Sequence, residues 1–359
     1  MWGFRSGFLV FLLLWVSSAV LPHEATAGEW RGNIRVGSSS TAAPAESAVV
    51  AATTEYVLRQ RGTIPIILTS PHGGNVQPDF LDVRDACSDD SNPSGCRGGR
   101  CSRSSDKNTF KLTTLLVEKI EEECGGKPYY VIGQIKRNYI DYNRDAFDPV
   151  GGQLCSFKDP DALLYWEAFH NQIETYLGEI QENCEGCGLL IDVHGFTDQD
   201  HPQAISLGMG NAEGQTVPNI RERDAELPFV YGEEGLVPNL LNYGEDHILE
   251  VAPEDINASY DGMPNGGYIV RRYSRRYADW GGPQSDPTLP MIDSIQMEFE
   301  KGLRQASSGS DETDAEILER TALAVARSLC GARDQYIDWW SPRLPARIAT
   351  PRRSATPSF

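Results

Sequence analysis

Two histidines are each followed by glycine, in Ser70-Pro71-His72-Gly73-Gly74 and in Asp192-Val193-His194-Gly195. An imidazole offers a nitrogen lone pair to a metal ion, and glycine lets the chain pass close to that ion without a Cβ clash. Both histidines close short apolar runs, 64–69 and 188–193, so each sits where a buried strand opens into a turn. Glu298 closes another such run, which begins at Ile292. Two imidazoles need an oxygen ligand beside them. A hydrolytic zinc site keeps three protein ligands and one water, lowers the pKa of that water to about 7, and needs a base such as Glu298 to take its proton. Each residue also has a purely structural account: buried, hydrogen-bonded imidazoles, and a strand-end carboxylate paired with an arginine. The coincidence of three such groups at strand ends is what points to hydrolysis. Alternation puts Glu300 on the same strand face as Glu298, so it is a rival for the role of base.

A second cluster is Arg137-Asn138-Tyr139-Ile140-Asp141-Tyr142-Asn143-Arg144. Polar and charged groups in a strand-like alternation are costly to bury unless they pair or meet a ligand. The planar guanidinium fork suits a carboxylate, which makes an anionic substrate group the functional reading and an internal Arg–Asp pair the structural one. Asp106 stands where a helix N-cap would, ahead of Phe110, Thr113, Leu116, Val117 and Ile120 at helical spacing.

These side chains need a scaffold that brings distant parts of the chain to one edge. Strands are expected at 64–69, 129–132, 188–195, 204–208 and 292–298. Helices are expected from Asp106 to near Gly125-Gly126, over 160–182 with Leu163, Trp166, Phe169, Ile173, Tyr176, Leu177 and Ile180 on one face, and over 314–329. Strands alternating with helices predict an α/β fold with a mostly parallel sheet covered on both faces, and functional groups at the carboxyl ends of its strands. The histidines at 170, 201 and 247 are assigned to packing or surface.

With 51 acidic against 32 basic residues, a formal charge of −19 disfavours a nucleic-acid partner. The 359 residues, 40% hydrophobic and 23% charged, are those of a folded globular chain. Arg5, an apolar run from Phe8 to Val16, and Ala25-Thr26-Ala27 read as a signal peptide over 1–27, without a membrane anchor in the mature form. The chain is then expected outside the cell or in a secretory lumen. Eight cysteines agree with disulfides there, Cys184 and Cys187 included, though the pairing is not legible. Asn257-Ala258-Ser259 is a glycosylation acceptor sequence. Residues 28–53 read as a flexible lead-in, 54–331 as the catalytic domain with a cysteine-rich insertion at 87–103, and 332–359 as a disordered tail.

Taken in order, Ser70-Pro71-His72-Gly73-Gly74, Asp106-Lys107-Asn108-Thr109, Ile140-Asp141-Tyr142-Asn143-Arg144, Asp192-Val193-His194-Gly195 and Gln296-Met297-Glu298 resemble the N-formylglutamate amidohydrolase family over roughly 60–330. The resemblance implies a three-layer α/β/α zinc-hydrolase-like fold with a mixed, mostly parallel sheet, related to zinc carboxypeptidases and cell-wall amidases. It implies hydrolysis of an N-acyl amide of a carboxylate-bearing substrate, a small N-acyl amino acid or a peptide. By the same resemblance His72, Asp106 and His194 would hold one Zn2+ and Glu298 would be the general base. Asn143 and Arg144, helped by Arg137, would hold the substrate carboxylate, near a glycine loop at Gly266 and Gly267. Asn75 departs from the pattern: it occupies the place of the carboxylate in a His-x2-Glu carboxypeptidase motif, so the acidic ligand comes from elsewhere, with Asp79 and Asp82 as alternatives to Asp106. The signal peptide sits poorly with a cytoplasmic histidine-degradation role. A peptidase or cell-wall amidase on the same scaffold, and a secreted binding protein without turnover, are the alternative functions.

Overall fold

A computed structural model of the chain describes residues 55–84, 103–147, 155–183, 188–197, 204–208, 229–242, 249–252, 267–274 and 292–335, all within 44–359, the larger of its two units. The expected signal peptide and lead-in, Gly266, the glycosylation sequence at Asn257, Cys184, Cys187, His201 and His247 lie outside the described residues, as does the cysteine-rich insertion apart from Arg103.

Among the described residues the strands are β1 (Val57–Gln60), β2 (Ile66–Ser70), β3 (Tyr129–Gly133), β4 (Leu189–Phe196), β5 (Ala204–Gly208), β6 (Glu250–Ala252) and β7 (Asp293–Glu300). The helices are α1 (Thr109–Cys124), α2 (Leu163–Asn183), α3 (Leu236–Leu241), α4 (Tyr268–Tyr273) and α5 (Asp314–Gln335). The strands form one sheet in the order β1-β3-β2-β4-β7-β5-β6. β3, β2, β4 and β7 run parallel, β1 is antiparallel to β3, and the parallel pair β5 and β6 is antiparallel to β7. The mixed, mostly parallel α/β sheet expected from the sequence is therefore present.

Alternation along the strands divides the core in two. Ile66 and Leu68, with Leu189, Ile191 and Val193, face a layer built from α1, α3 and α5. Ile67 and Leu190 face the opposite layer of α2 and α4, where Phe169, Ile173, Leu177, Ile269 and Tyr273 are buried. Each fully buried aliphatic or aromatic side chain contributes about 1.5–3 kcal/mol relative to exposure. Continuous apolar strands thus dictate cover on both faces. Asp192, His194 and Glu298 carry the parity of Leu190 in the register of β4 and β7, so they point toward the α2 and α4 side.

Several expectations are corrected. The cap of α1 is Asn108, in the left-handed region at φ 68°, without a side-chain capping bond; Asp106 stands outside the helix. The strand expected over 292–298 continues to Glu300, and the helix expected over 314–329 runs to Gln335. Residues 332–335, placed in the disordered tail, belong to that helix. The reason is packing: Ala332 is buried in the core, Arg333 donates to Cys124 O at 3.1 Å, and a disulfide joins Cys124 to Cys330. Cys155 is also disulfide-bonded. The edge strands β1 and β6 and the short helices α3 and α4 were not expected, because runs of three to six residues carry little periodicity. No helix among the described residues is long and apolar enough to cross a membrane.

Candidate metal centre

Because β2 and β4 are parallel neighbours, with Thr69 opposite Asp192, the turn after β2 delivers His72 beside the end of β4. β7 follows on the other side and sets Glu298 opposite His194. Gly73 lies against α1, where an added Cβ would come within 2.3 Å of Phe110 N, so the glycine after His72 is required for the turn to pack. Gly195 lies against the Arg304 guanidinium in the same way, also at 2.3 Å.

The two imidazoles meet edge to face, with ring centroids 4.6 Å apart. His72 Nε2 lies 2.6 Å from Asp141 Oδ1, and His194 Nε2 lies 2.8 Å from Asp192 Oδ2. A carboxylate only accepts, so both Nε2 atoms carry the proton and donate. Their Nδ1 atoms are turned to a single carboxylate oxygen: Asp106 Oδ2 is 3.4 Å from His72 Nδ1 and 3.3 Å from His194 Nδ1, and it accepts from Gly195 N at 3.1 Å. His72 Nδ1 is buried without a hydrogen-bond partner. His72, Asp106 and His194 are all buried and offer ligand atoms within 4.8 Å of one another.

In neutral imidazoles held this way, two nitrogen lone pairs and a carboxylate lone pair converge on one point. Such an arrangement is repulsive unless a proton or a metal cation lies between them, so the donor set fits a metal ion. Two imidazole nitrogens and one carboxylate oxygen are ligands that zinc accepts. The carboxylates behind the histidines fix the tautomer and orient the rings, as the outer groups of metal sites do.

The local charges favour a positive charge at this point, whether a proton or a metal ion. Burial pushes the Asp106 carboxyl up, but the imidazoles of His194 and His72 outweigh it and hold the group below the ordinary carboxylate range. For Asp141 burial acts in the same sense and is overcome by Arg137 and His72. Burial lowers the His194 pKa, yet the Asp192 and Asp106 carboxylates prevail and raise it well above the usual value. Glu298 is raised, chiefly by burial and against the pull of His194.

Of the expected substrate residues, Arg137 donates from Nε to Asp141 Oδ2 at 3.1 Å and sits 3.8 Å from Asp106 Oδ1, the internal pairing that its sequence left open. Asn143 Oδ1 accepts from Ile269 N at 2.9 Å, which turns Nδ2 to within 3.1 Å of His194 Nε2. Arg144 Nη1 donates to Asn143 O at 2.9 Å. Gly267 caps α4 and packs on the Asn143 amide. Glu300, further along β7, accepts from Gly302 N and caps the turn over Lys301–Leu303. Asp79 and Asp82 are exposed and outside the cluster. His170 is a packing residue, bonded to Tyr273 OH at 2.8 Å and Tyr142 O at 2.9 Å.

From sequence Asp141 had only the internal Arg–Asp pairing and no contact with His72, and Asp192, Thr69, Gln296 and Arg304 had no role. Asp192 takes the Thr69 hydroxyl at 2.7 Å as well as His194. Arg304 donates to Phe299 O and Phe196 O at 2.9 Å and to Lys107 O, tying the ends of β7 and β4 to the segment that carries Asp106. Asp-x-His and Gln-x-Glu on adjacent strands were the signal for Asp192 and Gln296, since same-face neighbours are two residues apart. Arg304 had none, because its partners are main-chain carbonyls.

No protein-family model matches the chain, and neither does any curated protein. Among solved structures it is similar to an N-formylglutamate amidohydrolase from Ralstonia eutropha JMP134, with 16% identity and a TM-score of 0.46 over 78% of this chain and 99% of that one. It is also similar to an N-acetylmuramoyl-L-alanine amidase from Clostridium difficile 630, with 10% identity and a TM-score of 0.31 over 77% and 97% of the two chains. A metallo-carboxypeptidase from Burkholderia cenocepacia matches with 10% identity and a TM-score of 0.33 over 83% and 70%.

Proposed function

We propose that this protein is a zinc-dependent amidohydrolase that cleaves the N-acyl amide of a carboxylate-bearing substrate. The observation that carries the reading is the convergence of His72 Nδ1, His194 Nδ1 and Asp106 Oδ2, with both Nε2 protons already committed to buried carboxylates. When bound, a zinc ion would supply Lewis acidity, polarising the scissile carbonyl and making water acidic enough to attack at neutral pH. His72, Asp106 and His194 would hold that one ion. Glu298, beside His194 on the next strand, would take a proton from water and return it to the leaving nitrogen. Its raised pKa brings it closer to the working pH of such a base. Arg144, with Asn143 and the backbone at Gly267, would orient the substrate carboxylate, and Arg137 would act from behind through Asp141 and Asp106. We propose further that the chain acts outside the cell or in a secretory lumen, for which the Cys124–Cys330 disulfide is the support.

The test is to measure zinc in the purified mature chain and to assay N-formyl and N-acetyl amino acids, with and without chelator. Stoichiometric zinc, lost in His72→Ala and His194→Ala, and activity lost in Glu298→Gln with the metal retained, are the expected results. A folded wild type that takes up no divalent metal would sink the reading. Hydrolysis of peptides with no action on N-acyl amino acids would move the assignment to a peptidase or a cell-wall amidase.

A further inference from the structure

Below the pair formed by His194 and Glu298, one step back along the same sheet face, lies a second polar pair, Asp192 opposite Gln296. Both are buried, where an amide or carboxylate is tolerated only if its hydrogen bonds are made. Those of Gln296 run in two directions. Its Oε1 accepts from Gly267 N, and its Nε2 donates to Glu298 Oε1 at 2.6 Å. A backbone N–H can only donate, so Gly267 fixes which end of the amide is which. The NH2 end is then obliged to face Glu298, where a carboxyl oxygen is its acceptor. Glu298 Oε2 makes no hydrogen bond among the described residues.

Gly267 itself is confined. An added Cβ would fall 2.0 Å from the Asn143 amide nitrogen, so the residue lies flat between the amides of Asn143 and Gln296. Asn143 in turn accepts from Ile269 N at Oδ1, and its amide nitrogen packs 3.1 Å from His194 Nε2. The point where the chain enters α4 is thereby bonded to the glutamate through Gln296 and packed beside the histidine through Asn143.

We propose that Gln296 is a positioning residue that holds one oxygen of Glu298, keeps the other available for proton transfer, and couples that carboxylate to the backbone at Gly267. The proposal rests on the reading of Glu298 as the base. A merely structural amide would stabilise the fold and leave turnover alone. A positioning amide acts through Glu298 and has no effect once Glu298 is gone.

The experiment uses the zinc-loaded full chain with an N-formyl amino acid as probe, in Gln296→Leu, Gln296→Glu, Glu298→Gln and the Gln296→Leu/Glu298→Gln double variant. Gln296→Leu is expected to lower kcat about 10- to 100-fold with KM within about threefold and zinc affinity within about twofold, the scale seen when an outer group that orients a reacting one is removed. The double variant is expected to be no slower than Glu298→Gln alone. Gln296→Glu keeps an acceptor for Gly267 but sets a carboxylate against Glu298, so kcat falls while hydrogen exchange at the Gly267 amide stays slow. In Gln296→Leu that exchange speeds up. Unchanged kcat in Gln296→Glu, multiplying losses in the double variant, or unaltered Gly267 exchange in Gln296→Leu would each overturn the proposal. Full activity in Glu298→Gln, or a wild type without hydrolysis, would instead overturn the reading of the base itself.

Discussion

Asp192 shows how much a residue outside the candidate metal ligands decides. Its carboxylate takes Thr69 Oγ1 on one oxygen and His194 Nε2 on the other, at 2.7 and 2.8 Å, so the ring is held in the tautomer that presents Nδ1 to Asp106. An amide in its place could bond the same neighbours but would carry no charge to favour the Nε2 proton. Asp192→Asn is therefore expected to weaken zinc affinity about 10- to 100-fold with little change in thermal stability, measured by competition with a chromophoric chelator. Affinity equal to wild type would mean that Thr69 and Asp192 only fill space. The role of Asp192 was open to a reader of the sequence, because Asp-x-His on a strand places both side chains on one face. That of Asp141 was not, because His72 lies 69 residues away and only the fold makes them neighbours.

At the scale of elements, the turn between β2 and α1 carries the first ligand, and its path is set by backbone contact. The Cβ of an alanine at Gly73 would lie 2.3 Å from Phe110 N and 2.6 Å from Thr109 Oγ1, and a main-chain atom at the start of a helix cannot step aside. Gly73→Ala is expected to cost about 1–3 kcal/mol of stability, as overpacking does, and to weaken metal binding by displacing His72. Denaturant unfolding alongside zinc titration checks both, and a variant as stable as wild type would show that the turn can re-route. The same element explains the error over Asp106. As an acidic residue before a helical period it reads as a cap, but Asn108 takes the left-handed position and bonds Arg304 O at 2.8 Å and Asp314 Oδ2 at 2.9 Å. Those long-range partners carry no local pattern.

Across the whole molecule, α1 and α5 pack side by side on one face of the sheet and are joined by Cys124–Cys330 across 206 residues. The enclosed chain holds His194, Glu298 and the Asp141 and Asp192 carboxylates, while His72 and Asp106 lie ahead of it, so the cross-link restricts the unfolded state of much of the segment that must assemble the site. Loss of the bond in Cys124→Ser/Cys330→Ser is expected to lower unfolding free energy by about 2–5 kcal/mol. Guanidinium unfolding of oxidised wild type against the variant measures it. A difference near zero would mean that the packing of α1 on α5 already fixes this face without the link.

Much of the chemistry was written in the chain itself. Apolar runs ending in His-Gly, a helix period after Asp106 and an acidic residue closing the last strand are local patterns, and local patterns survive in sequence because they arise from neighbours along the backbone. The α/β class and most of the long elements follow from them. Which carboxylate faces the two imidazoles, why Glu298 rather than Glu300 stands beside His194, that Arg137 turns inward to Asp141, and that Cys124 meets Cys330 were decided only in the folded molecule. Each of these depends on register between strands or on contacts between distant segments, and strand register is fixed by the packing of both sheet faces at once.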